Sequence, residues 1–235
     1  MIPARIGSQR LKLKNLAMLN GKPLIYYAIE AAKKSEVFDE IIINSDHKIF
    51  SEIADRYSVN FYLRPKKLGS SLTKSDEVVA DFMEKNKSAN IVAWVNSIAP
   101  LQQPEEISKI INYFIDNKFH SLITVNEKQV HCIYDNIPIN YDPNSPFALT
   151  QDLKPVMAFV YSLMIWERKN FLKEFRKNGQ AIINGKFGTY VVSNFSSLII
   201  KNKDDLRQAE FLIKSKSISS SKCKIKYDSL SKKLS

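Results

Sequence analysis

Apolar residues along this chain follow two patterns that take turns: short unbroken runs rich in Ile and Val, and longer stretches with apolar positions three and four apart. "DEIIINSD" (39–46), "VNFYLRP" (59–65), "NIVAWVNS" (90–97) and "HSLITVNE" (120–127) are of the first kind. The first and third, rich in β-branched residues and closed by polar residues, predict buried strands of a sheet; "VNFYLRP" predicts a short strand stopped by Pro65, and "HSLITVNE" a further strand. "LIYYAIEAAKKS" (24–35), "HKIFSEIADRYS" (47–58), "TKSDEVVADFMEKN" (73–86) and "PEEISKIINYFIDN" (104–117) carry the helical spacing. Pro23 and Pro104 suit helix starts, Thr73 or Ser75 is a candidate cap, and Glu105 and Glu106 suit a first turn. Strand and helix alternating over short connections predict an α/β fold: an open, mostly parallel sheet with helices on both faces.

The rhythm breaks at 126–155, where "IYDNIPINYDPNSPF" holds three prolines among turn formers and predicts a loop-rich excursion. Two long β-like runs follow, "VMAFVYSLMIWE" (156–167) and "GTYVVSNFSSLII" (188–200), before a closing helix at "KDDLRQAEFLI" (203–213). The 235 residues suffice for one large domain, assigned to 1–213, with 214–235 as an appended tail. No apolar run approaches the ~20 residues of a membrane-spanning helix, and Arg5 and Arg10 interrupt any signal-peptide pattern. Cys132 and Cys223 lack metal-type spacing and read as reduced thiols of a cytoplasmic protein.

The net charge of +11 points to nucleic acid only until it is located. Residues 214–235 carry seven Lys against one Asp, so over half the excess lies in a Ser/Lys tail expected to fray. Nucleic acid is therefore not the expected partner. His47, His120 and His131 have no catalytic partner at a telling spacing, and Tyr26, Tyr27 and Trp94 fit core positions. Asp46, ending the second strand, suits the ordering of a neighbouring loop.

The opening "MIPARIGSQRLKLKNL" places Gly7 and Ser8 after a first strand, with Arg5, Arg10, Lys12 and Lys14 around them. Backbone N–H groups and cations at the C-terminal edge of a sheet suit an anion such as a triphosphate. Gly7 permits close approach and unusual φ. Arg10 and Lys12 suit either the anion or plain solvent exposure. The loop is neither a Walker motif nor a GxGxxG fingerprint.

These residues resemble the acylneuraminate cytidylyltransferases, the CMP-sialic acid synthetase family, whose pattern is IPAR-x-GSK, then KNL and NGKPLI. "VFDEIIINSD", "FYLRPKKLGSSLTKSDEVV", "VNSIAPLQ", "TQDLKP" and "DDLRQAE" follow in the family's order, so the similarity spans about residues 1–213. The resemblance implies a Rossmann-like nucleotidyltransferase fold with a small inserted dimerisation subdomain at 126–155, and a homodimer. It implies coupling of CTP to an acidic nonulosonic sugar, giving a CMP-sugar and pyrophosphate. It assigns catalytic roles to Arg5 and Lys14. Ala4, Gly7, Ser8, Asn15, Arg64, Ser75 and Asn96 are assigned to the nucleotide, and Gln151 to the sugar. Mg²⁺ is the cofactor it implies.

Four departures bear on this. Gln9 stands where the family has its loop lysine. Ile199 and Lys201 stand where it has a metal-binding Asp-x-Asp pair, so no protein ligands for Mg²⁺ are identifiable and weaker Mg²⁺ dependence is expected; Lys201 suits a stand-in cation, and Asp204 and Asp205 suit a helix's first turn. Thr150, Ala158 and Val160 replace two arginines and an asparagine on the sugar side. Met1 falls inside the family's first strand, which is thus curtailed or begins upstream. The alternatives are a catalytically weak nucleotide-binding paralogue acting as a partner subunit, and an enzyme using another nucleotide or acceptor.

Overall fold

The computed structural model describes residues 1–218. Its elements are β1 (Ile2–Ala4), the hairpin strands β2 (Met18–Leu19) and β3 (Lys22–Pro23), α1 (Leu24–Ser35), β4 (Ile42–Ser45), α2 (Ile49–Tyr57), β5 (Asn60–Leu63), α3 (Ser75–Lys85), β6 (Ile91–Val95) and α4 (Pro104–Asp116). Then come β7 (Ser121–Lys128), a small hairpin of β8 (Ile133–Tyr134) and β9 (Ile137–Pro138), β10 (Val156–Glu167), α5 (Arg168–Asn178), β11 (Phe187–Val191) and α6 (Lys203–Ile218).

The strands form two ladders, β1-β4-β5 and β11-β7-β10-β6. Hydrogen bonds from Met1 N to Ala93 O (2.8 Å) and from Val95 N to Met1 O (3.0 Å) join β1 to β6, making one continuous sheet. Pairing is parallel between β1 and β4, β4 and β5, and β7 and β11, whereas β10 runs antiparallel to β6 and β7. The long run at 156–167 showed no direction by itself. Parallel neighbours need a helical crossover, and the chain between Lys128 and Val156 offers only a hairpin and one 3₁₀ turn.

Side chains alternate between the faces as the pleat requires. Ile2, Ile43, Ala93, Val95, Leu122, Leu163 and Ile165 join α1, α2 and α4 in one core. Met1, Ile42, Val92, Ile123, Met164 and Trp166 join α3 and α5 in another. This two-sided burial is why β4, β6 and β7 read as largely apolar runs, whereas β5, at the edge of the sheet, is half-exposed.

Three local expectations are corrected. The β-like run at 188–200 is a strand only to Val191, because Ser and Asn side chains take over the backbone pairing: Ser196 N donates to Ser193 Oγ (3.2 Å) and Ser197 Oγ to Asn194 O (2.8 Å). α3 is capped by neither Thr73 nor Ser75. Its Glu77 carboxylate accepts from Lys74 N–H (3.2 Å), while Thr73 Oγ1 donates to Lys67 O. α6 runs on to Ile218, through the start of the supposed tail, and the rest of the tail and Cys223 lie outside the described residues.

Candidate functional site

Strand order reverses at β1, which lies between β4 and β6, and ligands of open α/β sheets bind in the crevice at such a point. An open cleft of about 350 Å³ occupies it. Ala4 and Arg5 line it from the end of β1, Asn96 and Ser97 from the end of β6, and Arg64 from beyond β5. Ser8, Lys14 and Asn15 line it from the opening loop, and Ser75 from the first residue of α3.

The opening loop is held in place from beneath. Ile6 N donates to Asp46 Oδ1 (3.2 Å), and Asn15 Nδ2 donates to Arg5 O (3.3 Å). Ser97 Oγ lies 2.7 Å from Pro3 O and 2.9 Å from Asn15 Oδ1, tying β1, the loop and β6 together. Leu13 takes a left-handed φ of 50° before the 3₁₀ turn Lys14–Leu16, a conformation that costs a branched residue about 1–3 kcal/mol. Arg5 Nη1 reaches Ser70 O across the cleft (3.4 Å).

Asp46 therefore orders the loop, as its position suggested. Its other partner is Arg64, with Nη2 at 3.7 Å and the two side chains only 7% and 4% exposed. Arg64 Nη1 also donates to Asn44 O (2.8 Å), so this guanidinium buttresses β4 as well as facing the cleft. Burial lowers its pKa, and Asp46 opposes the shift. A Cβ on Gly69 would collide with the Asp46 carboxylate, so glycine is required there by close approach.

Lys14 Nζ donates to Ile200 O (3.0 Å), half-buried beside the chain entering α6. Its pKa is lowered from the usual lysine value, first by burial, then by repulsion from Arg10 and Arg5. Among the described residues three cations, Arg5, Lys14 and Arg64, line the cleft, and no Asp or Glu does.

Of the residues singled out from sequence, the cleft gathers Ala4, Arg5, Ser8, Lys14, Asn15, Arg64, Ser75 and Asn96. Asn96 is turned partly to structure, its Nδ2 donating to Tyr161 O (2.9 Å) and its Oδ1 accepting from Ile98 N. Gln151 is not among the lining residues; it lies exposed in the excursion, its carbonyl accepting from Gln129 Nε2 (2.9 Å). Gly7 has no left-handed φ and open space around it, so the unusual backbone expected there is absent. Gly7→Ala is expected to hold or raise thermal stability, by up to about 1 kcal/mol; a melting temperature several degrees lower would show hidden strain.

Sequence reading missed Ser70, Ser71 and Thr73, whose cleft position depends on the loop after β5, and Trp94. Trp94 was assigned to the core, yet it packs only partly there, lines the cleft and leaves its indole N–H unpartnered. The histidines take structural roles: His47 Nδ1 accepts from Ile49 N, and His120 Nδ1 from Lys186 N. His131 stacks on Phe147.

The residues at the implied metal position do not suit Mg²⁺, which requires oxygen donors. Ile199 offers none. Asp204 pairs with Arg207 (3.4 Å), and Asp205 Oδ2 accepts from Lys201 N and Asn202 N (2.7 and 3.0 Å). Among the described residues no three His, Cys, Asp or Glu cluster as a metal site would require.

Sheet order, cleft position and loop chemistry together define an open α/β fold with an anion-suited crevice at its switch point. The profile of one family, described as Cytidylyltransferase, matches residues 1–195, and the chain belongs to it. Among curated relatives, an N-acylneuraminate cytidylyltransferase of Escherichia coli is 26% identical over 225 residues, covering 89% of this chain and 50% of its own length. A pseudaminic acid cytidylyltransferase of Campylobacter jejuni is 33% identical over 132 residues, covering 54% of this chain and 57% of its own. The chain thus spans about half the length of the curated relatives it matches. Among solved structures, a CMP-2-keto-3-deoxy-manno-octonic acid synthetase complexed with CTP superposes with a TM-score of 0.71 at 14% identity, covering 92% of this chain and 97% of the other. A 4-diphosphocytidyl-2C-methyl-D-erythritol synthase of Anaerococcus prevotii gives 0.64 at 15% identity, covering 91% and 98%. Both support the fold, including the mostly parallel sheet with helices on both faces.

Proposed function

We propose that the cleft binds CTP and that the chain couples it to an acidic, sialic-acid-like sugar, releasing pyrophosphate. The observation that carries this reading is a cleft at the sheet's switch point lined by three cations and no carboxylate, in a chain of the cytidylyltransferase family. Lys14 has two N–H donors left after Ile200 O, and Arg5 keeps most of its guanidinium free; both suit phosphate oxygens. Ser8 lines the same space, whereas Gly7 is not among the lining residues; Ser75 and Asn96 suit the cytidine end.

In the reaction the sugar's anomeric oxygen attacks the α-phosphorus in line. An O–P bond forms, the bond to the β-phosphate bridging oxygen breaks, pyrophosphate leaves, and the hydroxyl proton passes to solvent. The protein's part is to hold the two anions together and offset their charge. The acceptor class follows the relatives' names, which specify N-acylneuraminate, pseudaminic acid and 3-deoxy-manno-octulosonate. The test is pyrophosphate release from CTP across a panel of nonulosonic and octulosonic acids. Turnover of one such acid is expected; turnover with another nucleoside triphosphate in preference to CTP would contradict the assignment.

A second reading, a nucleotide-binding partner subunit with little turnover, is favoured by Thr150, Ala158 and Val160 in place of the sugar-side polar residues and by Ile199 and Lys201. CTP binding with no release of pyrophosphate from any acceptor would select it.

A homodimer belongs to the same proposal. The excursion exposes Ile133, Tyr134, Ile137 and Phe147 at 60%, 76%, 65% and 76%, an apolar surface of the kind that associates. Among the described residues no helix is long and apolar enough to cross a membrane. Sedimentation is expected to show a dimer that Tyr134→Asp shifts toward monomer; a monomeric unmutated chain would remove the dimer from the account.

A further inference from the structure

The cleft's counter-charge comes from an unusual place. Lys14 Nζ sits on the carbonyl of Ile200, the residue between Ile199 and Lys201, so an ammonium occupies the stretch before α6 where side-chain oxygen ligands for a divalent ion are missing. We propose that this chain neutralises the triphosphate of CTP with its own cations, Lys14, Arg5, Arg10 and Lys201, and binds the nucleotide without a divalent metal. The inference rests on the CTP reading above and specifies how that site handles charge.

Three observations support it. First, the acids near the opening loop and the start of α6 have partners: Asp46 is held by Ile6 N–H and Arg64 and Asp205 by two backbone N–H groups, while Asp204 makes an exposed pair with Arg207. Second, among the described residues the cleft lining carries three cations and no acid, which disfavours a lone divalent ion and favours a polyanion. Third, Lys201 adjoins Ile200, whose carbonyl holds Lys14 Nζ, and burial followed by the charges of Arg10 and Arg5 lowers Lys14's proton affinity, with Asp205 opposing and Lys201 adding to the shift. Lysine and arginine offset phosphate charge and donate hydrogen bonds, though neither bridges two phosphates as a metal does.

The experiment is calorimetric titration of the full chain with CTP, in excess EDTA and in Mg²⁺. The Kd is expected to agree within about threefold between the two conditions. Lys201→Ala, which removes an exposed side chain with little bearing on folding, is expected to weaken metal-free binding about threefold. Ile199→Asp with Lys201→Asp is expected to abolish metal-free binding and make Mg²⁺ necessary. Binding tighter by about tenfold or more in Mg²⁺ for the unmutated chain overturns the proposal while leaving the CTP site intact. No binding in either condition overturns the CTP site itself.

Discussion

Replacing Asp46 by alanine is expected to destabilise the protein by about 3–5 kcal/mol, the cost of leaving a buried arginine without its counter-ion. Arg64 and Asp46 are 4% and 7% exposed, so water cannot compensate as it does for surface pairs. The same change strips Ile6 N–H of its acceptor and loosens the loop that forms one wall of the cleft. Urea denaturation of Asp46→Ala and Asp46→Asn measures this. The asparagine variant is expected to recover part of the loss, because it keeps an oxygen acceptor for Ile6 N. A loss under about 1 kcal/mol for the alanine variant would class the pair with exposed ion pairs and contradict the buttress assigned to it.

Lys14→Ala is expected to weaken CTP binding by about 10–100-fold, the worth of one charge-assisted hydrogen bond to a phosphate. Stability should change little or rise, since the free protein holds this ammonium against burial and three neighbouring cations. The sign with pH follows. Lys14's pKa in the folded chain lies below 10.5, so between the two values the unfolded chain binds more protons and stability rises with pH. CTP prefers the protonated form, so its affinity falls as pH climbs through the lowered value, earlier than for an ordinary lysine. Lys14→Arg, charged throughout, is expected to flatten that fall. Titration of both variants across neutral to alkaline pH reads the effect; equal CTP affinity in Lys14→Ala would count against the site.

What was legible in sequence was whatever burial imposes locally. A strand covered on both faces is largely apolar, so the Ile and Val runs of β4, β6 and β7 announced them even though Asn44, Ser45, Ser121 and Thr124 are buried there too, and α1 matches its apolar spacing from Leu24 to Ser35. The opening loop was legible because its chemistry is local too: Arg5, Ser8, Lys14 and Asn15 lie within eleven residues and reach one cleft. Direction and partnership were not. β10 is antiparallel through the length and content of its connection, which no feature of 156–167 encodes. α5 has no apolar positions besides Phe171, Leu172 and Phe175, so its low overall hydrophobicity hid it even though those three side chains share one face. Trp94 looked like core because its neighbours Ala93 and Val95 are core; the pleat turns its ring to the other face, where the sheet meets the cleft. The commitments of Asp46 and Asp205 are likewise invisible in one dimension.

The most direct measurement is a crystal structure of the chain soaked with CTP. The phosphates are expected within hydrogen-bonding distance of Lys14 Nζ and Arg5, with the nucleotide between the opening loop and the first turn of α3. CTP bound at another surface, or phosphates out of reach of both side chains, would contradict the account.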